Sequence, residues 1–141
     1  MIERAIRALN LINERAKKPR DYGTGDALFH AEVHMLVVIH NHPDANASDL
    51  AKALGITNGA VTQVVKKLRD KQLVERFQQP ENRKAVFFRL TEKGALAYIG
   101  HEQAERRDFR ALMDYLDACS EQELATIRQF FDCLTRCLKA G

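Results

Sequence analysis

The stretch SDLAKALGITNGAVTQVVKKL, residues 48–68, constrains the fold more than any other part of the sequence. Its first half has the apolar spacing of a short helix that Gly55 would end, because glycine readily adopts the left-handed conformation that follows helix ends. Its second half predicts another helix, with an apolar stripe on one side and small or hydrogen-bonding side chains on the other. Two helices joined by a glycine-containing turn are typical of a helix-turn-helix.

The second helix of this pair is predicted to have two distinct faces. Val61, Val64, Val65 and Leu68 share one face and can pack on the preceding helix. The opposite face lacks bulky apolar groups, so it can approach a DNA duplex, with first-turn amides near a phosphate and polar side chains near base edges. A helical hairpin with a solvated polar face would give the same pattern. The residues expected to contact DNA from this unit are Ser48, Thr57, Asn58, Gly59, Ala60, Thr62, Gln63, Lys66, Lys67 and Arg69.

A β-hairpin is predicted directly after the helix pair. The runs LVERFQ and AVFFRL are rich in β-branched and aromatic residues, and QPENRK between them is a polar turn. A helix-turn-helix followed by a hairpin with a basic tip is a winged helix, and the tip residues Asn82, Arg83 and Lys84 would lie near DNA. A surface hairpin with incidental charge is the alternative.

Charge is concentrated in the same part of the chain. The 141 residues carry a net charge of +3, but residues 46–90 hold nine basic and four acidic side chains, an excess of +5. A local positive excess is expected where a protein contacts phosphates. The hydrophobic content of 45% is enough for one domain or two small lobes. No apolar run approaches the length of a membrane span, so we expect a cytoplasmic protein.

The segment from about Leu28 to Gly94 resembles the multiple-antibiotic-resistance regulator (MarR) family of bacterial transcription factors. The pieces that carry the resemblance are LAKALGITNGAVTQVVKKL, with GAVTQ in the second helix, and LVERFQQPENRKAVFFRLTEKG, with LTEKG after the hairpin. The resemblance implies a mainly α fold with a small β-hairpin wing. It also implies a homodimer of winged helix-turn-helix lobes (28–94) with helical dimerisation regions (1–27 and 95–141), two lobes reading a pseudo-palindrome, and often a small-molecule effector pocket.

Two positions depart from the pattern of that family. Asn82 and Lys84 stand where the family usually has an aspartate and an arginine, so the ion pair that shapes the wing tip is missing. Gln72 stands where the family usually has glycine. A residue with a side chain at a left-handed helix end costs on the order of 1 kcal/mol.

The chain ends predict further helices with apolar faces that need a partner. Residues 1–16 form one amphipathic pattern, Thr91 can cap a long helix that extends past Leu116, and SEQE at residues 120–123 is a capping box for a last helix. Burial of the terminal helices across a two-fold axis is the expectation, and a monomeric helical cap is the alternative. The residues expected at the dimer interface are Ile2, Ile6, Leu9, Ile12, Leu124, Ile127, Phe131, Leu134 and Leu138.

The histidines and cysteines are the side chains that could bind a metal ion or sense oxidation. Buried, hydrogen-bonded histidines are favoured over a zinc site, for which the candidate ligands are His30, Glu32, His34, His101 and Glu105. His40 and His42 are expected to be turn residues. Cys119, Cys133 and Cys137 are expected to be small buried apolar residues, with a redox-sensing thiol as the alternative.

The sequence therefore predicts a transcriptional regulator and not an enzyme, because no acid, base and nucleophile converge in a recognisable motif. We expect a ligand-responsive repressor that binds double-stranded DNA as a homodimer, without an obligatory cofactor. A winged-helix module that binds another protein through the same polar helix face is the second interpretation. The two interpretations differ in whether the basic side chains of residues 46–90, which give that segment its excess charge of +5, contact DNA phosphates.

Overall fold

The computed structural model describes residues 1–140 and contains helices and two small antiparallel hairpins within that range. Two compact units divide the chain, the first from Met1 to Ala104 and the second from Glu105 onward. The elements of the described chain are α1 (Ile2–Ala16), β1 (Arg20–Asp21), β2 (Ala27–Leu28), α2 (His30–Asn41), α3 (Ala47–Leu54), α4 (Asn58–Asp70), β3 (Val74–Gln79), β4 (Asn82–Leu90), α5 (Glu92–Asp108), α6 (Arg110–Asp117) and α7 (Glu121–Ala140).

The core of the first unit lies where α2, α3 and α4 meet. The central residues of α2, among them Met35, Leu36 and Ile39, are buried, and they pack with Leu50 of α3 and Leu68 of α4. The α2 sequence is apolar on most sides because α3, α4 and β4 all contact it. This core confirms the winged helix-turn-helix fold that the sequence predicts.

The chain before α2 differs from the sequence prediction. The proline and glycines of KKPRDYGTGD, residues 17–26, predict a break after the first helix, and the apolar run from Leu28 to His40 predicts a buried helix. Instead, Leu28 pairs with Arg20 in a short β1–β2 hairpin and α2 begins at His30. The hairpin turn is closed by the Asp21 carboxylate, which accepts the backbone N–H groups of Gly23, Thr24 and Gly25. The amide of Gly23, followed by those of the next two residues, holds the pKa of the Asp21 carboxyl below its usual value.

Two details of the first unit correct the expected packing. The apolar spacing of α3 predicts Leu50, Ala53 and Leu54 on its inner face, but Ala53 is exposed and Ala51 joins Leu50 in the core instead. His40 was expected in a turn, but it lies in α2 and its ring stacks on that of Tyr98, with centroids 4.0 Å apart. His42 follows the last residue of α2, as expected.

Glycines allow α5 to lie directly against the backbone of two earlier segments. A Cβ atom at Gly94, the glycine of LTEKG, would stand 1.9 Å from the carbonyl oxygen of Leu73. A Cβ atom at Gly100 would stand 2.0 Å from the carbonyl oxygen of Tyr22. Thr91 completes the contact, because its hydroxyl donates to the Gln72 carbonyl and accepts from the Gly94 amide.

The second unit departs from the predicted single long helix. The helix that Thr91 begins ends at Asp108, and α6 starts at Arg110 after a one-residue break at Phe109. The predicted capping box of α7 is confirmed: the Glu123 carboxylate accepts from the Ser120 amide and hydroxyl. The Ser120 amide, and then its hydroxyl, lowers the pKa of the Glu123 carboxyl.

The cysteines are less buried than the sequence suggested. Cys133 and Cys137 are exposed on α7, and Cys119 is half-buried with its thiol donating to the Tyr115 carbonyl. The prediction of buried thiols assumed that the α7 stripe is covered, whereas within residues 1–140 no residue of α7 is buried.

We predict that Gly94→Ala and Gly100→Ala each lower the free energy of unfolding by about 2 kcal/mol or more, because the new methyl group would collide with a backbone carbonyl that cannot rotate away. Gly59→Ala is the matched control. Its Cβ would have Thr57 Oγ1 at 3.8 Å as nearest neighbour, so it should be neutral or slightly stabilising. Denaturant unfolding at one fixed protein concentration measures all three. Equal stability of the Gly94 and Gly59 variants would contradict the close approach.

Candidate nucleic-acid interface

The turn between α3 and α4 is fixed at both ends by hydrogen bonds that the sequence signals. The Asn46 side chain accepts from the amides of Ser48 and Asp49, and the Asp49 carboxylate accepts from the Asn46 amide. Gly55 then adopts a φ of 66°, which confirms the predicted left-handed stop. These caps set where α3 begins and where α4 can begin after it.

The start of α4 is capped by Thr57, whose hydroxyl oxygen accepts the amide of Ala60 at 3.2 Å. The amides of a first helical turn have no partner inside the helix, and they carry the positive end of the helix dipole. The N-terminus of α4 can therefore hold a phosphate. Thr57 contributes to that site by shaping the helix start.

The two faces of α4 are confirmed by burial. Val61, Val65 and Leu68 are buried in the core, whereas Thr62, Gln63, Lys66, Lys67 and Arg69 are all exposed. The Thr62 hydroxyl donates to the carbonyl of Asn58 at 3.0 Å, so it can act outward as an acceptor and through its methyl group. Gln63 carries both a donor and an acceptor, the combination that pairs with the N6 and N7 edge of adenine.

The wing has a shorter turn and longer strands than the sequence predicts. We expected QPENRK to form the turn, but Pro80 and Glu81 alone form it, and Asn82, Arg83 and Lys84 belong to the exposed start of β4. The reason is that the ladder continues to the Gln79–Asn82 pair, beyond an irregularity after Phe77.

The wing tip is shaped by amide side chains where an ion pair is missing. The Asn82 side-chain oxygen accepts the amide of Ala85 at 3.2 Å, and the Gln78 side chain donates to the Arg83 carbonyl at 2.7 Å. Both contacts hold the backbone beside Arg83 and Lys84. The tip therefore keeps a defined shape with its two basic side chains exposed.

The wing is attached to the helix-turn-helix by polar contacts. Asn46, which caps α3, also forms a β-bridge with Phe87 of β4, and Phe87 is buried. The side chain of Gln79 donates to the Asp44 carboxylate at 3.4 Å. These contacts hold the start of α3 and the wing strands together. The basic side chains of the helix-turn-helix and of the wing therefore belong to one connected framework.

Arg76 is a cationic residue of this surface that the sequence prediction omitted. It lies on β3 and, with Lys66 and Arg69 of α4, borders a cavity of about 250 Å³ between the helix and the wing. Alternation along β3 was the available signal, because Val74, Arg76 and Gln78 fall on one face of the strand. The wider groove beside the end of α4, of about 600 Å³, also includes Asp70 and Glu75, so the cations are partly balanced there.

A cluster of aromatic rings joins α2 to α5 and to the loop that contains Tyr22. The His30 and His34 ring centroids are 3.8 Å apart, and those of His34 and His101 are 6.0 Å apart. The edge of the Tyr22 ring meets the His101 ring at 5.4 Å, and His101 is buried. Three of the five candidate zinc ligands are therefore close together in the first unit.

The two acidic candidate ligands, Glu32 and Glu105, lie in different surroundings. Glu32 is 2% exposed, and its two oxygens accept from the Phe29 amide and the Lys71 ammonium, so it is a structural group and does not complete the histidine cluster. On α5, ligand atoms of His101, Glu102 and Glu105 lie within 4.8 Å of one another. Glu102 was absent from the predicted set, although its position beside His101 was the signal. Nitrogen and carboxylate oxygen are ligands that Zn²⁺ accepts.

None of the helices within residues 1–140 is both long enough and apolar enough to cross a bilayer.

Comparison with known proteins finds one family model and several regulators. The MarR family model matches residues 28–86. The transcriptional regulator PchR of Bacillus subtilis (strain 168) is 28% identical over 108 residues, which are 77% of this chain and 64% of that protein, so the chain spans somewhat less than two thirds of PchR. The transcriptional regulator ZitR of Lactococcus lactis subsp. cremoris (strain MG1363) is 26% identical over 102 residues, 72% of this chain and 70% of ZitR.

Solved structures agree with the fold over nearly the full length. Streptococcus pneumoniae FabT in complex with DNA superposes with a TM-score of 0.67 and 26% identity, covering 99% of this chain and 91% of FabT. The adhesin competence repressor AdcR of Streptococcus pyogenes gives a TM-score of 0.79 at 22% identity, covering 98% and 97%. The zinc-responsive MarR family member ZitR of Lactococcus lactis gives 0.72 at 22% identity, covering 97% and 96%.

Proposed function

Because this chain belongs to the MarR family, we propose that it is a sequence-specific DNA-binding transcriptional regulator, a ligand-responsive repressor that acts as a homodimer. The observation that carries the proposal is the exposed, uncrowded polar face of α4 beside a basic wing, with the opposite face of α4 buried. A regulator of chromosomal genes works in the bacterial cytoplasm, where we propose this protein acts. Catalysis forms no part of the proposal, because PchR and ZitR are transcriptional regulators.

Each exposed residue of the interface has a proposed role that follows from its chemistry. Gln63 reads a base edge in the major groove, and Lys66, Lys67 and Arg69 bind backbone phosphates. Ser48 offers its hydroxyl to a phosphate, and the amides of Asn58 and Gly59, which the Thr57 cap does not use, receive a phosphate at the start of α4. Residues 82–84 of the wing reach the flanking minor groove, where Arg83 is the group best suited to its negative potential.

Two lobes in a dimer would read a pseudo-palindrome whose half-sites are about one helical turn, roughly 34 Å, apart. An effector that changed the separation of the two α4 helices would leave one lobe out of register. Half of the base contacts would then be lost, and the repressor would leave its operator.

The direct test is a selection from randomised duplex DNA at about 0.15 M salt, which suppresses non-specific phosphate binding. The expected result is enrichment of a pseudo-palindrome. Failure of a folded, effector-free sample to enrich any sequence would contradict the proposal and favour the protein-binding interpretation of the α4 face.

We predict that variants of the α4 face separate phosphate contacts from base contacts. Lys66→Ala and Lys67→Ala should each weaken binding to all sequences and reduce the salt slope by about 1, whereas Gln63→Ala should relax preference at one base position, with a cost of about 1–3 kcal/mol there. Lys139→Ala, a control with the same loss of charge on the last turn of α7, should leave the slope unchanged. Affinities at several salt concentrations measure this, and a wild-type slope in both lysine variants would remove those residues from the interface.

The terminal helices support the homodimer. Within residues 1–140, neither α1 nor α7 has a buried residue, although both carry apolar faces. Ile2 is 76% exposed on α1, and on α7 Phe131 is 58% and Leu138 64% exposed. Contiguous apolar surface of this kind marks an interaction site. We propose that a second copy of the chain covers both faces, with Ile6, Leu9, Ile12, Leu124, Ile127 and Leu134 completing the interface.

We predict that Phe131→Glu converts the dimer to monomers, because the partner would have to bury an unpaired carboxylate. Gln129→Glu introduces the same charge at an exposed position of α7 outside the apolar stripe, and it should remain dimeric. Sedimentation equilibrium distinguishes the 16.1 kDa chain from twice that mass. A wild-type protein that sediments as a single chain at micromolar concentration would contradict the dimer.

Zn²⁺ is the effector that we propose to test first. His34 and His101 have ring centroids 6.0 Å apart, and Glu102 and Glu105 offer carboxylates on the helix of His101. Those side chains would hold the ion, which would supply a positive charge between α2 and α5. Relatives in fold include the zinc-responsive ZitR, which makes this metal the natural choice.

We predict about one Zn²⁺ per subunit after metal replenishment and dialysis of a protein purified without an affinity tag. His101→Ala should lose the ion because His101 lies next to both His34 and the carboxylates of α5. His42→Ala removes a histidine at the end of α2 that is not one of these candidate ligands, and it should keep the ion. Elemental analysis gives the stoichiometry. Zinc far below one per subunit in the wild-type protein would contradict the zinc site. It would not contradict the proposed DNA binding.

A further inference from the structure

The C-terminal end of α4 is held by a polar network around the buried carboxylate of Glu32. The Lys71 ammonium, one residue past the end of α4, donates to the Glu32 carboxylate at 2.7 Å and to the Ala27 carbonyl at 2.9 Å. The Glu32 side chain is 3% exposed and that of Lys71 is 28% exposed. The Lys71 carbonyl in turn accepts from Lys93, which pairs with Asp26 at 2.7 Å. The chain on both sides of Lys71 is therefore fixed to α2, β2 and α5.

We propose that the Glu32–Lys71 ion pair is a positioning link that sets the orientation of the recognition helix α4 for reading DNA. The inference rests on the proposed function and concerns residues that lie outside the DNA-facing surface. It assigns to the first turn of α2 a part in sequence discrimination.

Directional contacts can fix the tilt of α4 more narrowly than apolar packing does. Packing of the apolar stripe restricts the crossing angle of the helix only to within about 15–20°. The N-terminal end of α4 is held to α3 by the turn at residues 55–57, where the Ile56 amide donates to the Ala51 carbonyl, so a second fixed point at the other end determines the tilt. A buried ion pair is weak evidence for stability, whereas fixing one arrangement among several is its better-attested use.

The backbone at this end of α4 agrees with a fixed point. Gln72 has a φ of 60°, and within residues 1–140 it is the one non-glycine residue with a positive φ. This confirms the left-handed helix end that the sequence predicts. This conformation is unfavourable for a residue with a side chain, so neighbouring contacts must hold it.

Glu32→Gln tests the link because the loss of negative charge and the loss of the positioning contact are expected to change operator affinity in opposite directions. Both Glu32 oxygens accept hydrogen bonds, so an amide must turn its NH₂ group toward one of the two donors and lose that contact. Loss of a negative charge by itself should tighten binding to DNA, which is a polyanion. A positioning role predicts weaker binding to the operator with non-specific binding equal or tighter.

The expected result is a fall of about tenfold in the ratio of operator to non-specific affinity, comparable to the loss of one base contact. Glu14→Gln is the matched control, since Glu14 is an exposed carboxylate on α1 paired with Lys17, and its ratio should stay at the wild-type value. Lys71→Arg should keep the ratio because a donor and its charge remain, and Lys71→Met should lose it. The two Lys71 variants decide the question if Glu32→Gln does not fold.

Amide hydrogen exchange without DNA provides an independent readout. The amides of Lys71, Gln72 and Leu73 donate to carbonyls of the last turn of α4, and they should exchange about tenfold faster in Glu32→Gln than in Glu14→Gln. Unchanged exchange in a folded Glu32→Gln protein, whatever the affinity ratio, would overturn the link. Faster exchange in a protein whose wild type enriches no DNA sequence would keep the link and reject the proposed function.

Discussion

The burial of one face of α4 is the constraint on which the rest of the DNA-binding lobe depends. Val61, Val65 and Leu68 pack on α2 and α3, and this contact forces the opposite face of the helix toward solvent. Because the helical period fixes which residues share a face, burial of the valine stripe leaves Gln63 and Lys66 facing solvent. Core packing and the chemistry of the interface are two consequences of the same spacing in GAVTQVVKKL.

The sequence predicted the features that depend on local chemistry. The predicted helix end at Gly55 follows from backbone freedom and is confirmed. Asn46 and Thr57 are residue types that accept helix-start amides by short-range hydrogen bonds, and both cap a helix in the structure. Features that depend on distant partners were missed. The β1–β2 hairpin and the Glu32–Lys71 pair join residues whose proximity no periodicity signals, and Lys71 lies 39 positions after Glu32. The prediction that α6 continues α5 was wrong because apolar spacing does not register a one-residue break.

The wing illustrates how a missing ion pair need not leave a loop without shape. At its tip, Asn82 and Gln78 use amide groups to hold the backbone where an aspartate and an arginine would have paired. Neutral hydrogen bonds of this kind are insensitive to salt, whereas an exposed ion pair is screened. The shape of the tip is therefore independent of ionic strength, and both of its cations, Arg83 and Lys84, remain available to DNA.

The first turn of α2 connects the two candidate sites of the molecule. His30 and His34 lie on one side of this turn, within the ring cluster that includes His101, and Glu32 lies on another side with Lys71 at the end of α4. A helical turn is stiff, so a ligand that drew the histidines toward α5 would move Glu32 in the same step. On the proposed function, an effector could then change the tilt of the recognition helix without rearranging the apolar core. Such a route requires differential binding of the ligand to the two positions of α2, and the histidine side chains are where that difference would arise.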